Sequence, residues 1–208
     1  NENLISYKKP LGNEYRYEYD PLDLLSKQTD PLGHATSYEY DPVERATKKI
    51  DAENNATVYA YDPLHRMTAV TDALGGLTAY GYDPVGNLTS VIDANDHLTS
   101  REYDVMNRLH KEINPLANKW TYDYDPNSNL LERNDANGDK TEYVYDPIDR
   151  LTNIKYPDAG HDVARGYDPN GNLTSLQDRS GQSTYEYDPR NLLITQTDAH
   201  GAKIAYAY

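Results

Sequence analysis

The 208-residue sequence holds 34 Asp and Glu, six His, 21 Tyr and no Cys, so any chemistry it performs must come from carboxylates, imidazoles, hydroxyls or phenols. The segments Asp93-Ala94-Asn95-Asp96 and Asp135-Ala136-Asn137-Gly138-Asp139 have the composition of a cation-binding loop. An EF-hand needs a twelve-residue ladder of oxygen ligands closing on Glu, and a calcium β-roll needs a Gly-Gly-x-Gly-x-Asp repeat. Neither pattern is in the sequence. His34, His65, His97, His110, His161 and His200 stand at several different offsets from the recurring Tyr-Asp dipeptides. Only His34 and His97 share one, whereas a metal site needs several converging ligands, so the six read as exposed turn residues. No Ser sits in a nucleophile turn, and no two carboxylates take separate acid and base roles. The Tyr could stack on sugars, but their constant spacing reads first as packing. The expectation is that no residue is catalytic, cofactor-binding or metal-ligating, that no cofactor is used, and that the chain is not an enzyme.

What positions these groups is a repeat. Tyr-Asp recurs with its Asp at Asp20, Asp41, Asp62, Asp83, Asp104, Asp125, Asp146, Asp168 and Asp188, a spacing of 21 that becomes 22 and then 20 at the last two steps. An inserted residue near Tyr156–Gly160 and a deletion in the next unit account for the change of phase. Each unit carries two turn signals. Pro follows the Asp in eight of nine cases, and Asp-Pro suits the first two positions of a type I turn. About ten residues later comes Asp-x-x-Gly, as in Asp30–Gly33, Asp72–Gly75, Asp135–Gly138, Asp178–Gly181 and Asp198–Gly201, with Gly suited to the left-handed position of a bulged hairpin. Recurrent Asp is therefore explained by turns.

Between the turns the residues alternate with period two. Tyr-x-Tyr, as in Tyr17 and Tyr19 or Tyr59 and Tyr61, places two rings on one face, and Thr36, Thr57, Thr78 or Trp120 extends that face two residues earlier. Leu25, Met67, Leu88, Leu109, Leu130, Leu151, Leu173 and Leu193 open the other strand, which continues through residues such as Val70, Val91 and Ile113. No apolar pattern persists at helical spacing. Each unit reads as one β-hairpin, and the whole as some twenty strands in an antiparallel ribbon. Ladders of Tyr and Leu down one side would let a chain poor in aliphatic residues bury a core.

Composition alone points elsewhere. Leu, Ile and Val number 20, 8 and 8, Phe is absent and the net charge is −14, which is the composition of a disordered chain; the positions of the Tyr reverse that reading. The acidity argues against nucleic acid as a partner. No apolar run is long enough for a membrane span.

The unit Tyr-x-Tyr-Asp-x-x-(Gly/Asn/Arg)-(Arg/Asn)-Leu-x(4)-Asp-x-x-Gly resembles the Rhs/YD-repeat family. Tyr80–Leu88, Tyr143–Leu151 and Gly166–Leu173 match it well, while Arg101 and Arg165 replace the first Tyr of their pairs, Val105 replaces Pro and Ala46 replaces Leu. The resemblance implies an all-β antiparallel β-hairpin ribbon spiralling as part of a hollow shell or tube. In bacterial Rhs proteins and toxin-complex proteins such a shell encloses a C-terminal toxin; in teneurins a similar shell supports adhesion. Residues 1–208 read as about ten repeats of 21 residues in one continuous array without recognisable caps, starting after one Tyr-Asp and stopping before another. The expected partners are a C-terminal effector of the same chain or neighbouring repeats, with end-to-end self-association and glycans as further expectations. The expected location is secreted or cell-surface. The alternative function is an extracellular repeat protein for assembly or adhesion.

Overall fold

The computed structural model describes residues 3–9 and 13–208. It is all-β: the described residues form twenty strands, from Ser6–Lys8 to Lys203–Ala205, and a single 3-10 turn at Ala159–His161. The chain divides into two compact units, residues 1–100 and 101–208, each built of antiparallel sheet. In the first unit each strand pairs antiparallel with the next, from Tyr7 opposite Tyr15 through Thr99 opposite Val91. The second repeats the scheme from Lys111 opposite Thr121 to Gln196 opposite Ile204.

Six-residue strands ending on Tyr, such as Ala56–Tyr61, alternate with five-residue strands opening on the expected Leu or Met, such as Met67–Thr71. The Tyr-Asp loop joins them into a hairpin with Tyr59 opposite Val70 and Tyr61 opposite Met67. Residues facing each other across a ladder share a face, so Tyr59, Tyr61, Met67 and Val70 lie on one side. Met67 and Val70 are three apart, which strict alternation forbids; the register shift between Ala60 and Tyr61 leaves Thr68 as an unpaired bulge residue. Every Tyr-Asp hairpin with a described register has this shift. The bulge turns one strand so that both apolar residues join the Tyr face. Period-two reading misses it.

On the opposite face the residue just before the last Tyr of the strand often matches its cross-strand partner in charge or size, although Asp123 faces Glu132. Glu18, Glu39 and Glu102 lie 3.1, 3.1 and 2.6 Å from Lys27, Lys48 and Lys111. Small residues meet small ones, Ala60 against Ala69 and Gly166 against Ser175; a Cβ at Gly166 would collide with Ser175 Oγ. These exposed ion pairs add little stability, but each fixes register, since a one-residue slip moves every side chain to the wrong face.

The expected insertion is the 3-10 turn itself. Asp158 Oδ1 accepts the Gly160 N–H and Asp162 Oδ1 accepts the Tyr156 N–H. The compensating deletion makes Asp178–Gly181 a tight hairpin with the two end residues paired, so Asp178–Gly181 is not the bulged Asp-x-x-Gly loop that its sequence suggests.

The expectation of a buried core is corrected. Among the described residues no hydrophobic side chain is fully buried, and the accessible surface is 13721 Å², against about 9,800 Å² for a compact globule of the same mass. A single sheet layer can only half-bury its side chains: in the strand ending at Tyr61 the two Tyr are partly covered and Val58 and Ala60 are exposed. Stability must come chiefly from backbone hydrogen bonds, ring-to-ring contact and the loops.

Candidate functional site: the loop rim and the tyrosine column

Apart from the 3-10 turn at Ala159–His161 and the Asp178–Gly181 hairpin, the two loops of a unit share one geometry, though their sequences differ. In the Tyr-Asp loop at Asp41, the Asp41 N–H donates to the Arg45 carbonyl and the Glu44 N–H to the Asp41 carbonyl, at 2.9 and 3.0 Å. Asp41 Oδ1 accepts the N–H groups of Val43 and Arg45, both at 3.0 Å. At Asp30 the corresponding pairs join Asp30 and His34 at 2.9 Å and Gly33 and Asp30 at 3.0 Å, and Oδ1 again accepts two N–H groups, at 2.8 and 2.9 Å. The fourth residue is left-handed in both, with φ of 67° at Glu44 and 88° at Gly33. This is a type I turn closed by a left-handed residue, and one carboxylate oxygen satisfies two loop amides. Asn114 performs the same service with its amide oxygen, accepting Leu116 and Asn118 N–H at 3.0 Å each.

The second carboxylate oxygen reaches the residue four positions on. Arg45, Arg66, Arg108 and Arg150 donate Nε to Asp41, Asp62, Asp104 and Asp146 Oδ2 at 2.6 to 2.7 Å. Each guanidinium also crosses to the next repeat. There Nη1 donates to the carbonyl of the following Tyr-Asp aspartate, at 2.9 Å from Arg66 to Asp83 and 2.7 Å from Arg108 to Asp125. The guanidinium lies over the preceding ring, 4.7 Å from the centroid of Tyr61 or Tyr82 and 4.6 Å from that of Tyr124, a cation–π contact.

The second Tyr of each pair is itself a joint. Tyr40, Tyr61, Tyr82 and Tyr124 hydroxyls donate to the carbonyls of Leu25, Ala46, Met67 and Leu109, at 2.8, 2.8, 2.9 and 3.0 Å. The acceptor opens the strand of the previous repeat, beyond the point where backbone pairing between the hairpins stops; the ladder of Met67–Thr71 with the following strand begins only at Ala69. Tyr82→Phe is expected to lower unfolding free energy by about 1 kcal/mol in urea titration, the typical net worth of one such bond. An unchanged midpoint would mean the Met67 carbonyl does not need the phenol.

Titration follows the same contacts. Burial pushes the Asp41, Asp62 and Asp146 carboxyls up, but hydrogen bonds from the loop N–H groups and the Arg outweigh it and hold all three below the ordinary carboxylate range. At Asp104 the Arg108 side chain is the leading cause of the same lowering. Burial raises the Tyr40 and Tyr124 hydroxyls, helped by Tyr38 and Tyr122.

The other singled-out residues scatter. His34 and His97 Nδ1 lie 2.9 and 3.1 Å from the Oδ2 of their own loop Asp30 and Asp93. His110 is corrected: it lies in the strand Leu109–Ile113, not in a turn, with Nδ1 3.1 Å from the Tyr122 carbonyl. In the acidic loops, Asp93 and Asp135 Oδ1 are occupied by loop amides, and among the described residues no three His, Asp or Glu are gathered to hold a metal ion. Arg101 pairs with Glu112 at 2.7 Å, whereas Arg165 faces Leu176 and its buried Nη1 has no partner among the described residues. A surface depression of about 450 Å³ lies over Tyr143, Tyr145 and Asp149, but Asp149 is committed to Asn127 and Asn129. Among the described residues no helix is long and apolar enough to cross a membrane. The joining role of Arg45, Arg66, Arg108 and Arg150 is a feature that the turn pattern alone does not reveal, although their constant spacing from Asp41, Asp62, Asp104 and Asp146 is its signal.

A hairpin array held by loop, ring and guanidinium joints defines a β-hairpin repeat protein. The RHS Repeat family profile matches residues 2–35, 19–56, 45–77, 82–119, 124–161 and 167–208, and the chain belongs to that family. No curated protein matches it. Among solved structures it is similar to the TcdB2-TccC3-Cdc42 crystal structure, at 15% identity and TM-score 0.48 over 88% of this chain and 15% of that one. It is also similar to the Tc holotoxin pore of Photorhabdus luminescens, at 16% identity and TM-score 0.49 over 88% of this chain and 15% of that one. The TcdB2-TccC3 structure without its hypervariable C-terminal region gives 16% identity and TM-score 0.49 over 92% of this chain and 16% of that one. The chain thus spans about one sixth or less of these proteins.

Proposed function

We propose that these repeats are a stretch of wall in a shell that encloses a C-terminal toxin or effector of the same polypeptide, in a secreted or surface-exposed protein. Membership of the RHS repeat family supports this reading. The observation that carries it is the division of labour within the sheet: neighbouring repeats bond one another through backbone, Tyr, Arg and Asn, while no hydrophobic side chain among the described residues is fully buried. Within each unit such a sheet leaves its faces free for something else to meet. Containment then works by exclusion, since a hydrogen-bonded wall without loose loops gives proteases little unfolded backbone to cut.

The test is limited proteolysis of the complete natural polypeptide that contains these repeats. Containment predicts that its C-terminal segment survives alongside the repeats and becomes sensitive once the repeats are unfolded. Digestion of that segment at the rate of the isolated segment would sink the proposal. Filaments or glycan binding without protection would support assembly or adhesion instead.

A further inference from the structure

The residue four positions after a Tyr-Asp aspartate is Arg in four repeats, Asn in three and Leu in two, and the Arg and Asn meet different neighbours. Where it is Arg, the third loop residue of the next repeat is His65, Gly86, Ser128 or Gly171, none with a carboxylate or amide oxygen. Where it is Asn, a different joint forms. Asn129 and Asn172 Nδ2 donate to Asp149 Oδ1 and Asn191 Oδ1 at 2.6 and 2.9 Å, and Asn3, as far ahead of Asp23 as Asn129 is of Asp149, donates to Asp23 Oδ1 at 2.9 Å. These acceptors hold left-handed backbone at φ of 62 to 64°, a conformation that Asp and Asn tolerate best among residues with a side chain, so they fit the loop and the joint together. In two cases a second Asn strengthens the contact: Asn127 also reaches Asp149, and Asn170 reaches Asn191, both at 3.0 Å.

We infer that the loop rim is a recognition surface whose partner is another YD repeat, with an Arg type and an Asn type of joint that accept different neighbours and so fix which repeat docks on which. In the second unit the types alternate: Arg108 with Ser128, Asn129 with Asp149, Arg150 with Gly171, Asn172 with Asn191. Near-identical repeats share backbone geometry, so a hairpin could otherwise dock on the next repeat but one, a characteristic misassembly of repeat proteins. Alternation changes the joint made at each such skip. Looping out the repeat of Asp146 sets Asn129 against Gly171, which offers no side-chain oxygen. Looping out the repeat of Asp125 or of Asp168 sets Arg108 against Asp149 or Arg150 against Asn191, replacing the paired Asn donors by one guanidinium. In the first unit Arg45 and Arg66 are consecutive Arg joints, so a skip of the repeat of Asp62 meets a matching Gly86. Slippage is expected there first.

Two sets of variants of the 208-residue protein test this. Arg108→Asn removes the guanidinium and is expected to lower the unfolding temperature by roughly 3–6 °C. Adding Ser128→Asp supplies the acceptor of an Asn joint and is expected to recover about half of that loss, a coupling between residues in direct contact. Simple additivity of the two changes would overturn the pairing rule. The double variant Asn129→Arg with Asp149→Ser recreates the Arg108–Ser128 joint and places three Arg joints in succession. Its unfolding temperature is expected to stay near that of the natural chain, while the monomer recovered by size exclusion after dilution from urea falls several-fold. Unchanged recovery would overturn the role in repeat order.

Discussion

On acidification the protein is expected to hold its structure down to about pH 4, where unpaired carboxylates titrate, and then to lose it over a narrow interval. Thirteen loop aspartates, among them Asp30, Asp62, Asp104, Asp146 and Asp198, have carboxyls held below their ordinary range of 3.8. A carboxyl depressed in the folded chain binds its proton less readily there than in the unfolded chain. Its stabilisation is therefore complete above the unfolded value and disappears as pH falls through the folded one. Each contribution is modest, but the groups act in parallel, and the steepness of the transition grows with the number of protons taken up. Between neutrality and the isoelectric point near 4.7 the trend is opposite, because shedding part of the −14 charge relieves repulsion. Circular dichroism against pH at fixed salt should show a plateau followed by a sharp fall. Native signal persisting to pH 2 would mean that the loop carboxylates are not what holds the turns.

The hairpin array was legible because its determinants are local. Asp-Pro, the Gly of Asp30–Gly33 and the period of Tyr17 and Tyr19 act within a few residues, and the insertion near Tyr156–Gly160 came out as the one 3-10 turn. What stayed hidden acts between elements. Thr68 looks like any strand Thr; only the register with Ala60 and Tyr61 shows that it is the bulge that moves Val70 onto the Tyr face. Arg66 looks like a loop residue closing on Asp62, and its hold on Asp83 and Tyr82 appears only when two repeats lie side by side. His110 was taken for a turn residue because charge and exposure do not separate a loop from the solvent face of a strand. Burial was misjudged because Tyr periodicity specifies which side chains share a face, not whether anything covers them.

The largest single-residue effect is expected at a Tyr-Asp aspartate with a full set of partners, and Asp62 is the clearest. Its Oδ1 accepts Leu64 and Arg66 N–H at 2.9 and 3.0 Å, and its Oδ2 accepts Arg66 Nε at 2.7 Å. Asp62→Ala strands two loop amides and frees the Arg66 guanidinium, whose other contacts join this repeat to Asp83 and Tyr82. Both the loop and the joint beyond it should loosen, with faster amide exchange at Leu64, Arg66 and the Asp83 loop and an unfolding temperature lower by roughly 4–8 °C. Asp62→Asn separates geometry from charge. Asn114 shows that an amide oxygen can accept both loop N–H groups, so this variant should keep most of the loop's protection, lose part of the Arg66 contact and remove one proton from the acid transition. If Asn proved as damaging as Ala, the charge of Asp62 rather than its loop hydrogen bonds would be the source of its stabilisation; if Ala left exchange at the Asp83 loop unchanged, the repeats would not be joined through this carboxylate.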